Sequence, residues 1–488
     1  MRKYATKWVN WATLIVLGYG VLFCWMDALI RVWVASPSPI TISLAAVVLL
    51  AASLRIATNP SRFSWTLSLM AASGLAVDWH VWLLSLAALP SLLLVWGLAK
   101  SRANTRVGWH RIIPLPVTLT TSERFLHLHV LGPTGSGKSS SVLMPLIGQD
   151  IRQQLGVVVM DPKGDLASTA IAVAIRHGRS IIRFNPLDED CPHFNPLAGP
   201  AESAAEGLAW TLNQISDGGH PYYAVAARVQ LLYAVRAVKE AYGESADIGS
   251  VLQFFRDEAH QRQIVRAAED EATRAFFTEQ WARKPGQGRE DRQGLLNRLE
   301  LLWANPIVRR VLSAPTDFTW DEVLEGRWVM AATLSLANLG QSAQALGNLL
   351  WHGLAQAAYR RDPAKPHPPC YLYLDEFHQW VSEDLSDFLA LARGYSIGLI
   401  LAHQDMGQLS PALQEAVMAN ARQRLILPGS AAADITRFQK AADPFSLDVP
   451  LRYLERGLAM AHLTTHGTLQ KPRIVRLSHH ALGESGHG

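Results

Sequence analysis

Gly132, Gly137, Lys138 and Ser139 stand at the spacing G-x-x-x-x-G-K-[ST] within the run HVLGPTGSGKSSSVLMPL. Such a loop binds the phosphates of a nucleotide when it joins a strand to a helix. RFLHLHVLG alternates large apolar residues with histidine and predicts the strand, and SSSVLMPLIGQDI predicts the start of the helix. Glycines at 132, 135 and 137 let main-chain N–H groups converge on phosphate oxygens without obstruction by Cβ atoms, and the helix N-terminus adds a favourable dipole. The binding loop is therefore expected to be Gly132, Pro133, Thr134, Gly135, Ser136, Gly137, Lys138, Ser139 and Ser140. Lys138 would reach the β- and γ-phosphates of ATP, and the Ser139 hydroxyl would ligate Mg2+. The plainer alternative is a glycine-rich turn before a helix, with its lysine in solvent.

A phosphate loop of this kind needs a second, acidic group. PPCYLYLDEFHQW carries a short apolar run, Cys370 to Leu374, that ends in Asp375 and Glu376. An acid at the carboxyl end of a buried strand lies beside the phosphate loop in a parallel sheet. Asp375 would hold the Mg2+ shell, and Glu376 would orient or deprotonate the attacking water, which points to hydrolysis. By itself, an Asp-Glu pair after a strand is also an ordinary helix cap. Further on, LALARGYSIGLILAHQDMGQL places Arg393 before a strand and Gln404 at that strand's end. Gln404 could sense the γ-phosphate or the water. Arg393 could reach a neighbouring subunit's nucleotide as an arginine finger, or simply complement a helix C-terminus.

The elements that must position these groups occupy only part of the 488 residues. Four apolar stretches, about 11–34, 40–57, 63–77 and 79–99, precede residue 100. The first and last are long enough to cross roughly 30 Å of hydrocarbon. Arg2, Lys3 and Lys7, then Arg55 and Arg62, then Lys100, Arg102 and Arg106 alternate with connections that hold no Lys or Arg. That alternation predicts a transmembrane module of four helices over 1–100 with both ends cytoplasmic. Residues 1–100 hold 7 Lys/Arg against 2 Asp/Glu, leaving 38 against 39 for residues 101–488. The bulk charge of the latter part (−1) gives no argument for a nucleic-acid surface, so any such contact must be local. Cys24, Cys191 and Cys370 match no zinc or disulfide spacing.

Beyond residue 100 the pattern is α/β. GVVVMDPKGDL, SIIRFNP, RWVMAATLSL, SIGLILAHQ and RLILPG read as strands with helical patterns between them, which predicts a doubly wound RecA-like P-loop NTPase domain over 101–201 and 306–475. Residues 202–305 lack β-branched runs and read as an all-helical insertion. Within it, Arg283, Lys284, Arg289, Arg292 and Arg298 form a basic segment that suits nucleic-acid phosphates or, more plainly, a solvated face. Residues 476–488 read as a flexible tail.

In this order, GPTGSGKSSSVLMPLI, DPKGDL, FNPLDEDCPHFNPLAG, YLYLDEFHQW, ARGYSIGLILAHQ and MANARQRLIL resemble the coupling proteins of type IV secretion over about residues 125–430. These are the TraG/TraD-like membrane ATPases of bacterial conjugation, within the FtsK/HerA translocase group. The resemblance implies a homo-hexameric cytoplasmic ring that hydrolyses ATP and delivers single-stranded DNA, with its attached relaxase, to a type IV secretion channel. An alternative cargo is protein effectors, and a further rival is a scaffold that binds nucleotide without hydrolysing it. The resemblance also implies nucleotide and Mg2+ binding by Lys138 and Ser139, a metal role for Asp375, a water role for Glu376, a phosphate sensor at Gln404, a trans finger at Arg393, and a helical insertion that faces DNA. The chain departs from the family in its four short-looped spans, where two around a periplasmic portion are common, and in lacking a long acidic tail.

Overall fold

Seven parallel strands form one continuous block of the eleven-stranded sheet, and their carboxyl ends share one edge. The computed structural model describes residues 104–111, 115–215, 221–280, 287–313, 315–381, 384–442 and 451–478. The parallel strands are β3 (Leu128–Leu131), β4 (Gly156–Asp161), β5 (Ile181–Phe184), β6 (Val329–Thr333), β7 (Cys370–Asp375), β8 (Ile397–His403) and β9 (Gln423–Ile426). Their order is β5-β6-β4-β7-β8-β3-β9. Beyond β9 the sheet continues antiparallel through β10 (Leu458–His462), β13 (Arg473–Arg476), β1 (Thr105–His110) and β2 (Pro116–Leu119). A separate hairpin pairs β11 (Thr464–Thr465) with β12 (Thr468–Leu469).

The apolar runs explain the layering. β4, β7 and β8 are buried along their whole length, which is why they read as continuous hydrophobic strings. Their alternate residues serve opposite faces. Val157, Val159, Tyr371 and Tyr373 join the core under the helices Met144–Arg152 and Asp165–Arg176. Val158, Met160, Leu372 and Leu374 join the core under the helix Gln341–Tyr359 and the helices that follow β5. On the first face a buried ion pair fixes helix to sheet. Arg124 Nη1 and Nη2 donate to the two oxygens of Asp150 at 2.5 and 2.8 Å, the Tyr373 hydroxyl donates to Asp150 Oδ2 at 2.5 Å, and the Arg124 guanidinium lies 3.5 Å from the Tyr371 ring centre.

Between β5 and β6 the described residues contain helices and no strand, from Ala201–Ile215 to Trp320–Glu325. The helical run therefore continues past residue 305. Arg292 is committed within it, donating to the Phe255 carbonyl and pairing with Glu258 at 2.9 Å, so it is not a spare phosphate contact. Towards the C-terminus, Arg476 belongs to β13, and Leu477, just beyond it, donates its N–H to the Gly457 carbonyl at 2.7 Å, so these two residues are tied to the sheet rather than part of a tail. The expected membrane stretches lie outside the described residues. Among the described residues no helix is long and apolar enough to cross a membrane.

Candidate functional site

Register alone gathers most of the expected groups on the carboxyl edge. Leu131, the last residue of β3, pairs with His403 of β8 and Ile426 of β9, so the loop from Gly132 emerges between Gln404 and Leu427. Asp375 pairs with Ala402, and Met160 pairs with Leu374, which sets Asp161 beside Asp375. Gly132 N–H donates to the His403 carbonyl at 3.3 Å and ties the loop to the neighbouring strand.

The loop's glycines answer to two different constraints. A Cβ on Gly132 would sit 2.7 Å from both Leu427 Cβ and Ser136 Oγ, so close packing excludes one. Gly135 and Gly137 have φ of +79° and +98°, which a side chain disfavours. Ser136 N–H donates to the Pro133 carbonyl at 3.2 Å and closes the turn, while Thr134 and Gly135 are exposed at its tip. The following turn, Lys138–Leu143, is a π-helical start to the helix Met144–Arg152, and Ser139 and Ser140 lie half-buried in it. Such π turns recur at functional sites.

Lys138 is buried and bends back to donate to the Gly132 carbonyl at 2.5 Å, with its ammonium 4.0 Å from Glu376 Oε1. Burial lowers its pKa, while Glu376 and Asp375 oppose that shift. Gln404 Nε2 donates to the same Glu376 oxygen at 3.2 Å. Glu376 holds a left-handed conformation, φ 46° and ψ 48°, that a non-glycine residue rarely adopts. The surroundings enforce it. Trp380 is fully buried and donates its indole N–H to the Asp375 carbonyl at 3.0 Å, and Phe377 packs edge-on against His403 at 5.0 Å. Gly347 makes room for Trp380, since a Cβ there would lie 2.5 Å from the indole.

Asp375 is 2% exposed and its Oδ1 has no hydrogen-bond partner among the described residues; Glu376 Oε2 is in the same condition. Burial, then repulsion from Glu376 and Asp161, pushes the Asp375 carboxyl up to about 7, with Lys138 and Lys163 pulling the other way. A buried carboxylate with an orphaned oxygen, lying within the field of the Lys138 ammonium, fits a cation-assisted phosphate site. No group of three or more His, Cys, Asp or Glu side chains among the described residues forms a protein-only metal cage. Mg2+ takes only one or two protein ligands beside phosphate oxygens, and a carboxylate and a serine hydroxyl are the donor types it accepts.

Other groups at this edge had no assigned role in the sequence. Asp161 spends its carboxylate on main-chain N–H groups, those of Lys163 at 2.8 Å, Leu166 at 2.7 Å and Ala167 at 3.2 Å, and so caps the helix Asp165–Arg176. This is why DPKGDL follows a strand: the acid organises the turn. His129 and His403 share one hydrogen bond between their Nε2 atoms at 2.7 Å in the core beneath the loop. Burial holds both imidazoles neutral, His403 down to about 3. The alternation in HLHV signalled a strand but not this pairing.

Arg393 is not brought to the site. It lies in the turn Ala392–Tyr395 before β8, at the amino edge of the sheet, exposed and without a side-chain partner among the described residues. A seven-residue strand separates it from Gln404, roughly 20 Å at about 3.3 Å per residue. It cannot touch a nucleotide held by its own subunit.

The whole arrangement has counterparts. A family model described as Type IV secretory system Conjugative DNA transfer matches residues 117–421. No curated protein sequence matches significantly. Among solved structures, the bacterial conjugative coupling protein TrwB lacking its first 70 residues superposes with a TM-score of 0.57 at 15% identity, covering 77% of this chain and 88% of that one. TrwB in complex with ADP and Mg2+ gives 0.57 at 15% identity, covering 79% and 92%. VirB4 of Thermoanaerobacter pseudethanolicus gives 0.50 at 15% identity, covering 78% and 96%. At these identities the likeness is one of fold, a RecA-like α/β sheet.

Proposed function

The chain belongs to the type IV secretory system conjugative DNA transfer family, and from that premise we propose that it is a membrane-anchored ATPase that moves conjugative single-stranded DNA. The carrying observation is the convergence on one sheet edge of a buried lysine, an orphaned aspartate and a glutamate held by Gln404. TrwB has been seen with ADP and Mg2+ and with a non-hydrolysable ATP analogue, which supports ATP and Mg2+ as the ligands here.

In this reading the main-chain N–H groups of Thr134, Gly135, Gly137 and Lys138 cradle the phosphates, those of Gly132 and Ser136 being bonded to the His403 and Pro133 carbonyls. Lys138 swings from the Gly132 carbonyl to the β/γ-phosphates, exchanging a neutral acceptor for a charged one. Ser139 and Asp375 hold Mg2+, which neutralises phosphate charge when bound. Glu376 accepts the proton of the attacking water, and Gln404 fixes the carboxylate's orientation. Arg393 faces away from its own site, as a finger serving the next subunit of a homo-hexamer must. Residues 1–100 anchor the motor as four spans in the bacterial inner membrane with the ATPase unit on the cytoplasmic side. Relaxase-bound DNA and the type IV secretion channel are its partners.

The test is ATP hydrolysis by the full-length protein, with Lys138→Ala as control, in the presence and absence of single-stranded DNA. Hydrolysis that requires Lys138 and rises with DNA supports the reading. Lys138-dependent hydrolysis indifferent to DNA would shift the cargo to protein effectors. Turnover unchanged in Lys138→Ala would refute the ATPase assignment itself.

A further inference from the structure

The two ends of a nucleotide can be told apart on this sheet. Lys138, Asp375, Glu376 and Gln404 cluster on the β7–β8 side of the loop, so the terminal phosphate belongs there. The α-phosphate and nucleoside must then leave over β9 and β10. A chain segment already stands on that side. Pro133 Cγ lies 3.1 Å from the Cβ position of Gly429, just beyond β9, and Gly429 N–H donates to the Arg452 carbonyl at 3.3 Å. The segment then turns, with Leu458 N–H donating to the Glu455 carbonyl at 3.1 Å and the Gly457 carbonyl accepting from Leu477 N–H at 2.7 Å. Gly457, at φ +89°, permits that turn.

Arg456 lies in this turn. Its Nε is 4.0 Å from the Cβ position of Gly137, the residue immediately before Lys138. The guanidinium is exposed and has neither a carboxylate nor a carbonyl partner among the described residues. A cation without a hydrogen-bond partner, held by a backbone-bonded turn and set beside the phosphate loop, is built to meet an anion. The distance from Glu376 is set by the sheet order: β8 and β3 intervene between β7 and β9.

We propose that Arg456 binds the non-transferred phosphates of the nucleotide, at the α-position, and closes the site on the side away from hydrolysis. This rests on the nucleotide reading above and adds to it a residue from the antiparallel extension of the sheet. Because the contact ignores the γ-phosphate, it holds ADP as well as ATP and keeps the nucleotide in place after cleavage.

The experiment measures ADP and ATP affinity for the full-length protein, by fluorescent-nucleotide displacement, in wild type, Arg456→Ala, Arg456→Lys and Lys138→Ala. Arg456→Ala is expected to weaken ADP and ATP alike, by about tenfold or more, as befits one charge-assisted hydrogen bond. Arg456→Lys should recover part of the loss, and the nucleotide-free melting temperature should stay unchanged, since the guanidinium has no hydrogen-bond or ion-pair partner among the described residues. A loss confined to ATP, a loss below twofold, or a matching fall in nucleotide-free stability would overturn the assignment. A defect in DNA binding with intact nucleotide affinity would overturn it too. If Lys138→Ala loses binding while Arg456→Ala does not, this inference fails alone. If wild type binds neither nucleotide, the functional reading fails and takes this inference with it.

Discussion

Asp375→Asn should make the nucleotide-free protein more stable while destroying its activity. The carboxyl is 2% exposed, lacks a partner on Oδ1, and titrates near 7 instead of its ordinary 3.8 because burial and two neighbouring acids disfavour its charge. The sign follows from proton counting. Between pH 3.8 and about 7 the folded state holds a proton at this site that the unfolded state has lost. Stability from this group is therefore greatest below pH 4, falls as pH rises through that window, and is flat above it. A shift of roughly three units at 1.36 kcal/mol each is about 4 kcal/mol as a ceiling. Asparagine removes the charge but also removes a partner of Lys138, so a gain of about 2–4 kcal/mol at pH 8 is expected. At roughly 1–2 °C per kcal/mol for a unit of this size, the melting temperature rises by about 3–6 °C. Thermal unfolding of full-length wild type and variant, with EDTA and no nucleotide, from pH 5 to pH 8 checks this. Roughly a third of the gap should be present at pH 5 and all of it at pH 8. A variant no more stable than wild type at pH 8, or a gap independent of pH, refutes the picture of a buried, poorly solvated carboxylate awaiting a cation.

Glu376→Gln should bind ATP with near wild-type affinity yet hydrolyse it about a hundredfold more slowly or worse; equilibrium binding beside single-turnover hydrolysis tests this, and lost binding would contradict the water-activating role. Mixtures of Lys138→Ala and Arg393→Ala subunits should regain some ATPase activity if Arg393 serves a neighbour; assembled mixtures that never exceed their parents would argue against a shared site. Tyr373→Phe leaves the fully buried Asp150 short of one donor and should lower stability by roughly 1–3 kcal/mol in urea unfolding. Arg124→Ala strands the same carboxylate without its cation and should lower it further, by about 3–5 kcal/mol. If Tyr373→Phe proved the more damaging of the two, the ion pair would not be the main brace between helix and sheet.

What the sequence determined by itself is everything encoded within about ten consecutive residues. The phosphate loop is legible because its glycines and lysine must follow one another along the chain. β4, β7 and β8 are legible because strands buried on both faces become unbroken apolar runs. Asp375 and Glu376 declare themselves by closing such a run. The tertiary structure decided what lies beside what. Strand order sets Lys138 4.0 Å from Glu376 and sends Arg393 to the opposite edge. The same order joins His129 to His403 and Arg124 to Tyr373, and local periodicity is silent about each pairing. The antiparallel strands β1, β2 and β13 are short and half-exposed in places, so their pattern is weak, and the turn that brings Arg456 to the loop has no signature at all. A strand's hydrophobicity states that it must be covered. Which neighbour covers it is settled only when every strand competes for partners at once.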